Sequence, residues 1–427
     1  MIGSPAIRLA PSRPQVRATA ATEVPAWVTW PLAASIALLP LLLPSGPANS
    51  SPVDVPIAVS LAAVAAWALA GQVRVRVPYA IPVAVLMLGG GIATLVSPLA
   101  DTLSGGIALV HDAFLCAWCV AMVNAMRTPR SMAIILRAWS WSAIAWATLL
   151  AGLYMSGHLD LAGVSERTGA RAALTFGNPN LAASYFFISI AVVAATRTPR
   201  WLPVRLGAYA VLLVALLLTG SNGGVLSLAV AAGVTFVVFA MRRFGSTRML
   251  AGTCAAVPLA VLALHFVSPT DVRLWAAGSG QPLLRDSIGR SDSSADQRRL
   301  LIEESVSLYY QGAPWGIGPA ATKPALTDDL APYAKEAHDD YIAALVERGV
   351  IGAMGLLLLI AAVAARTGPL LRARLDDGFA TLVPATAPLV GAAVGVAVSA
   401  TYYQVLHFRQ VWALLALNGA LFLWGRR

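Results

Sequence analysis

Residues 206–241, LGAYAVLLVALLLTGSNGGVLSLAVAAGVTFVVFAM, run without a charged side chain between Arg205 and Arg242, broken only by TGSNGG at 219–224. Each half is close to the length of about 20 apolar residues that crosses ~30 Å of hydrocarbon. Backbone groups in lipid must bond within their own segment, so the two halves read as a pair of membrane helices joined by a tight uncharged turn. Both arginine-bearing ends then lie on one side. A membrane β-barrel is excluded, because it needs short segments of alternating polarity.

Working outward, the whole chain shares this character. Its 427 residues are 58% hydrophobic and 12% charged, with a mean hydropathy of +0.72, beyond what a soluble core requires. Apolar runs between polar breaks give about 12 helices, centred near Ser35, Ala62, Met87, Cys116, Ala143, Ile188, Leu213, Ala231, Val261, Leu356, Val390 and Leu415. The expected fold class is all-α, a polytopic membrane helical bundle with one large extracytoplasmic loop containing short helices. Its expected parts are a basic tail at 1–26, nine spans at 27–268, the loop at 269–338 and three spans at 339–427. The tail carries Arg8, Arg13 and Arg17 but no long apolar core, and reads as a disordered, uncleaved segment.

The short loops alternate in charge. Arg74 and Arg76, Arg127 and Arg130, Arg197, Arg200 and Arg205, Arg242, Arg243 and Arg248, and Arg366, Arg372 and Arg374 share the side of the tail. The loops at 46–51, 97–104 and 220–224 hold no lysine or arginine. The positive-inside rule makes both termini cytoplasmic and the long loop extracytoplasmic, in a multi-pass protein of the cytoplasmic (inner) membrane.

Most of the net charge of +10 is therefore a topology signal set against anionic headgroups. An external set remains: Arg167, Arg171, Arg273, Arg285, Arg290, Arg298, Arg299, Lys323, Lys335 and Arg409. Cations are disfavoured there by the same rule and call for an anionic, membrane-borne substrate. Nucleic acid is excluded as a partner, since the basic residues flank membrane helices in pairs rather than forming a stripe with exposed aromatics. Cys116, Cys119 and Cys254 fall within spans and read as small core residues, with no second pair to complete a zinc site. No nucleotide-binding loop, His-Glu-x-x-His or Gly-x-Ser-x-Gly pattern occurs.

Two segments beside the external surface carry the chemistry. In ERTGARAALTFGNPNLAA, 166–183, Asn178 precedes Pro179, so the chain turns tightly and starts a helix that Asn178 or Asn180 can cap. A helix N-terminus with Arg167 and Arg171 just upstream suits a phosphate. The second segment runs from Asp296 to Gly352. Ser294 can cap a helix reaching Gln311, with Tyr309, Tyr310 and Trp315 suited to the membrane interface. Neighbouring helical residues point about 100° apart, and Glu303 lies four residues beyond Arg299 as its partner. Arg298 is thereby favoured as the cation for a pocket. His338, the one histidine of the long loop, precedes the tenth span with Asp339 and Asp340 beside it to orient the ring.

TFGNPNLA at 175–182, TGSNGG at 219–224, RRLLI at 298–302 followed by PWGIGP at 314–319, and HDDYI at 338–342 followed by GVIG at 349–352 together resemble the O-antigen ligase family in order and spacing. The resemblance covers about Arg167 to Ile360. It implies a multi-span glycosyltransferase that takes a glycan from an undecaprenyl diphosphate donor and places it on a glycan, lipid or protein acceptor at the outer face of the cytoplasmic membrane. No metal-binding carboxylate cluster stands out, so no metal or other cofactor is expected, with Asp328, Asp329, Asp339 and Asp340 the residues that leave a divalent ion open. A closely related branch polymerises repeat units instead. His338 is then the candidate general base, Arg298 or Arg299 the candidate diphosphate contact, and Arg167, Arg171, Arg285, Arg290, Asn178 and Asn180 the surrounding donor-binding set. The chain departs from the family's usual pattern twice. Asn222 stands where an arginine is usual, and Asp339 where asparagine commonly follows the histidine.

Twelve helices with cytoplasmic ends also suit a lipid-linked glycan transporter, which keeps ionisable groups near the midplane. His111 with Asp112, His265, and Glu347 with Arg348 are few and lie mostly near span ends. Transfer chemistry is the expectation, and binding without turnover, as in a glycan-binding scaffold, is the third reading.

Overall fold

The computed structural model describes residues 23–45, 50–71, 73–166, 169–245, 269–289, 293–312, 314–328 and 339–426, and the side chains of all of these but 269, 293–298 and 328. Residues 1–22 of the basic tail, the span predicted at Val261 with Cys254 and His265, and Arg167, Arg248, Arg290, Lys335 and His338 lie outside the described residues. What is described is helical, with no strand beyond the isolated bridges Ser165–Gly169 and Leu375–Arg426.

The order is α1 (Ala26–Ala37), α2 (Asp54–Ala70), α3 (Ala80–Val96), α4 (Thr102–Ala125), α5 (Pro129–Met155), α6 (Pro179–Thr196), α7 (Leu202–Leu218) and α8 (Asn222–Phe244). Four helices of the long loop follow: α9 (Pro269–Gly278), α10 (Pro282–Asp286), α11 (Ser293–Gly312) and α12 (Thr322–Asp328). The chain ends with α13 (Asp340–Thr367), the short α14 (Asp377–Leu382), α15 (Ala387–Ser399) and α16 (Arg409–Trp424). Every predicted span centre except Val261 falls inside one of these helices. The helices α4, α5, α6, α8 and α13 are long and apolar enough to cross a membrane, while α1, α2, α3, α7 and α15 are shorter apolar helices.

Polar caps explain where several helices begin. Asp101 accepts from the Leu103 and Ser104 amides, Asn178 from the Asn180 amide, Ser221 from the Gly224 amide, and Asp339 from the Tyr341 and Ile342 amides. Each satisfies backbone donors that the first helical turn leaves open. The starts of α4, α6, α8 and α13 lie at the end of the bundle that carries α9–α12: Asn222 reaches Ser287, Ala170 before α6 reaches Asp286, and Ser104 and Asp340 share a cavity with Lys323 of α12. That loop end therefore collects helix N-termini, whose dipoles are positive.

The helix α6 is apolar all round and 78% of its membrane window is buried, which makes it the hub of the bundle. Tyr185, Phe186 and Phe187 are fully enclosed there. Trp139 of α5 donates to Ser189 Oγ of α6 at 3.0 Å.

The packing of α3 against α13 sets the geometry of the site. A Cβ on Gly89 would stand 2.4 Å from the Gly352 amide nitrogen, and one on Gly355 would stand 2.5 Å from that of Leu86. Small residues let the two backbones touch, as membrane helices require for close association. Within α13, Gly349 adopts φ 64° and ψ −168°, breaking the helix one residue after Arg348. The PWGIGP segment repairs the break. Ile317 N donates to Val346 O at 2.9 Å, Gly318 N to Glu347 O at 3.0 Å, and Val350 N to Pro314 O at 3.0 Å. Two of the motifs read from the sequence are thus one structural unit, since non-helical backbone at membrane depth needs protein partners.

Candidate functional site

The loop end holds two polar centres. The first joins three of the predicted donor-binding residues to the TGSNGG corner. Asn178 caps α6 by accepting from Asn180 N at 2.9 Å, as the Asn-Pro spacing predicts. Arg171 is buried, donating from Nε to Thr219 O at 3.0 Å and from Nη2 to Asn180 Oδ1 at 2.8 Å. Ser221 Oγ donates to the same Asn180 oxygen at 3.0 Å. Asn222 donates from Nδ2 to Ser287 O at 3.2 Å. The centre is closed by Asp286, which accepts from Ala170 N at 2.9 Å. Arg171 therefore ties the chain before α6 to the α7–α8 turn.

Two other predicted cations lie at the surface. Arg285 donates from Nε to Asp286 Oδ1 at 3.0 Å, and that carboxylate holds the guanidinium pKa above its usual value. Arg299 is paired with Glu303 at 2.9 Å, as its i,i+4 spacing predicts, with its side chain 81% exposed. The backbone of Arg298 belongs to α11, three positions before Leu301. Leu301, Ser305 and Leu308 form the buried stripe of that helix.

The second centre is a cavity of about 400 Å³ beneath the start of α13. Its walls come from α4, α12, α13 and the chain between α15 and α16. Asp340 is 4% exposed, and its Oδ2 accepts from Val405 N at 2.7 Å. With Asp340 N donating to Ala400 O at 2.9 Å, this clamps the 400–408 segment, which brings Gln404 and His407 to the cavity. The same segment reaches the first centre, where Tyr402 Oη donates to Gly223 O at 2.8 Å. Asp339 is taken up in capping: its Oδ1 receives Tyr341 N at 2.7 Å and Ile342 N at 3.0 Å. Burial raises the Asp339 carboxyl pKa above its ordinary value, and those two amides oppose the rise.

Four lining groups converge that the sequence reading had set aside as residues near span ends. Arg348 Nη2 lies 2.5 Å from Asp112 Oδ2, joining α13 to α4. Glu347 accepts from Thr322 Oγ1 at 2.8 Å and from Ala320 N at 3.2 Å, which fixes the start of α12. His111 lies one residue before Asp112 on the same wall. Ionisable side chains inside membrane helices are functional candidates by default, because burying them is costly. That signal was present in His111-Asp112 and Glu347-Arg348. What it lacked was the pairing of α4 with α13, which only the tertiary fold supplies.

A further ion pair braces this end. Arg409, 4% exposed, grips Asp54 with Nε to Oδ1 at 2.8 Å and Nη2 to Oδ2 at 2.6 Å, joining α16 to α2. Among the described residues no three His, Cys, Asp or Glu side chains gather as a metal-binding cluster.

No curated protein matches the chain. A family model described as O-antigen ligase matches residues 207–357. The matched span takes in the TGSNGG turn, Arg298, Arg299, the PWGIGP segment, His338 and the broken first half of α13. It leaves out TFGNPNLA and the α4 wall of the cavity. Over residues 207–357 the chain is similar to the family described as O-antigen ligase, and five of its helices are long and apolar enough to cross a membrane.

Proposed function

We propose that the protein transfers a glycan from an undecaprenyl diphosphate carrier to an acceptor hydroxyl at the outer face of the cytoplasmic membrane. The observation that carries this reading is the cavity under α13, which opens two positions after His338 in a chain whose matched family builds polysaccharides. Arg298 and Arg299 stand on the neighbouring helix α11, which packs on α13 through Leu301, Leu308 and Val346.

In the reaction, the acceptor oxygen forms a bond to the anomeric carbon as the bond from that carbon to the diphosphate oxygen breaks. The diphosphate leaves with the electron pair. His338 takes the hydroxyl proton, a role worth roughly 10²- to 10⁴-fold. Arg298, with Arg299 as the alternative, stabilises charge growing on the leaving oxygens, and losing one such donor costs about 10²- to 10³-fold. Arg167, Arg285 and Arg290 extend the cationic surface for the carrier. Arg171, Asn178 and Asn180 hold the corner beneath it, and Asp339 and Asp340 fix the chain that presents His338. Both termini are cytoplasmic in this reading.

A second reading, passage of the lipid-linked glycan through the bundle, draws on the broken helix at Gly349 and the ionisable groups beside it. The experiment that separates the two uses purified protein with a lipid-linked glycan and an acceptor. Wild type is expected to form product, with His338→Ala and Arg298→Ala reduced at least 10²-fold. Full activity in His338→Ala, Arg298→Ala and Arg299→Ala would reject the assignment. Movement of the glycan in vesicles without product would favour transport.

A further inference from the structure

The cavity under α13 is lined by charges of both signs, and their balance indicates what it holds. Lys323 and Arg348 face three carboxyl groups, Asp112, Asp340 and Glu347, so the wall carries no excess of positive charge. Each acid is already engaged: Asp112 by Arg348, Glu347 by the start of α12, and Asp340 by the Val405 amide. A wall with no net positive charge offers a diphosphate no counter-charge. Between the polar groups lie Ile107, Ala108, Ala343 and Ala344, which give the cavity apolar strips.

Alternating hydrogen-bonding groups and small apolar surfaces match a pyranose ring, which has hydroxyls at its edge and C–H bonds on its faces. The volume of about 400 Å³ falls in the ~300–1,000 Å³ range of small-molecule sites. The polar groups that line the wall include Ser104, Lys323, Gln404 and His407.

We propose that this cavity is the subsite for a neutral sugar of the acceptor. The inference rests on the glycosyl-transfer reading above. The donor's first sugar is bonded directly to diphosphate, whereas the acceptor brings no phosphate, and the lack of net positive charge selects the latter. The ring enters between α4 and α13 with a hydroxyl turned toward the start of α13. Arg348 and Glu347 then serve the acceptor by holding the wall rather than by binding the carrier.

The test fills the cavity without touching its charges. Ala108→Phe from α4 and Ala344→Phe from α13 narrow it from two helices. Ligand-observed saturation-transfer NMR uses the neutral repeat-unit saccharide released by mild acid from the host's envelope polysaccharide, with inorganic diphosphate as competitor. Wild type is expected to bind the saccharide, diphosphate to leave that signal in place, and both filled variants to lose it at least tenfold. In the transfer assay the same variants raise KM for acceptor about tenfold or more and leave KM for lipid-linked donor unchanged. If neither filled variant is monodisperse, Gln404→Ala and Lys323→Ala carry the test, with losses of about threefold or more expected in the same two readouts.

The subsite is overturned if the folded variants bind the saccharide as wild type does, if diphosphate displaces it, or if donor KM rises instead. Loss of saccharide binding in the variants of a protein that forms no product retains the subsite and rejects transfer. Normal acceptor KM in a variant that still forms product does the reverse.

Discussion

Replacing Gly349 by alanine puts a side chain at the break in α13, and the structure fixes both the size of the effect and where it is felt. The backbone there, φ 64° and ψ −168°, lies in a region open essentially to glycine alone, with a strain of about 1–3 kcal/mol for other residues. The added Cβ would also stand 2.4 Å from Pro314 O and from the Trp315 carbonyl carbon, both backbone atoms, and overpacking of that kind costs a further ~1–3 kcal/mol. Against this, the PWGIGP segment is held to the break by the Ile317, Gly318 and Val350 amide bonds, worth roughly 1 kcal/mol each. The penalty of about 2–6 kcal/mol is of the same size as the ~3 kcal/mol those three bonds supply, so the segment should loosen.

Hydrogen exchange read by mass spectrometry in detergent checks this. The peptide covering Ile317 and Gly318 is expected to exchange about 10²-fold faster in Gly349→Ala, since ~1.4 kcal/mol is tenfold. Gly233→Ala in α8 is the control, because a Cβ there meets nothing within 4 Å and alanine favours the helix. Exchange in Gly349→Ala within threefold of wild type would refute the reasoning that the glycine is required by the docked segment.

Three other perturbations follow from the same geometry. Arg409→Ala leaves the Asp54 carboxylate without its bidentate partner at a largely buried position and should cost about 3 kcal/mol, visible as a lower chemical-denaturation midpoint; Asp54→Asn in the same chain should restore part of it. Arg299→Ala removes an exposed helix-surface pair and should change stability by no more than ~0.5 kcal/mol, so a large loss would show that this arginine does more than pair with Glu303. For Asp339, burial raises the folded pKa above the unfolded value, so the folded state holds the proton more tightly and stability falls as pH rises from the ordinary carboxylate range through the raised value. Asparagine keeps the cap and removes the charge, so Asp339→Asn should match or exceed wild-type stability above that window and flatten the pH dependence; a steeper loss at neutral pH would contradict it.

Much of this architecture could be read from residue patterns because hydrocarbon imposes a simple demand. The runs around Leu213 and Ala231 had to be helices, and the break at TGSNGG had to be their turn. Local chemistry was equally direct at Asn178-Pro179, where a capped helix start is written in two residues, and at Arg299-Glu303, four residues apart on one helix. The cavity was harder to see because its walls are distant in the chain. Asp112 of α4 and Arg348 of α13 meet where α3 packs on both helices, its Gly89 against Gly352, and no pattern within any one of the three announces that. Arg171 shows the other limit. Its position beside a helix start suits a phosphate, yet it is buried and bonded to Thr219 and Asn180, a role set by the fold around it.

The most direct measurement of the central claim follows both products of one turnover. Purified protein in vesicles receives a radiolabelled lipid-linked glycan and an unlabelled acceptor, and free polyprenyl diphosphate is quantified beside glycosylated acceptor. Transfer at this site predicts that the two appear together in equal amounts, and that both fall at least 10²-fold in His338→Ala. Labelled glycan reaching the far side still joined to its carrier, with no polyprenyl diphosphate released, would contradict it.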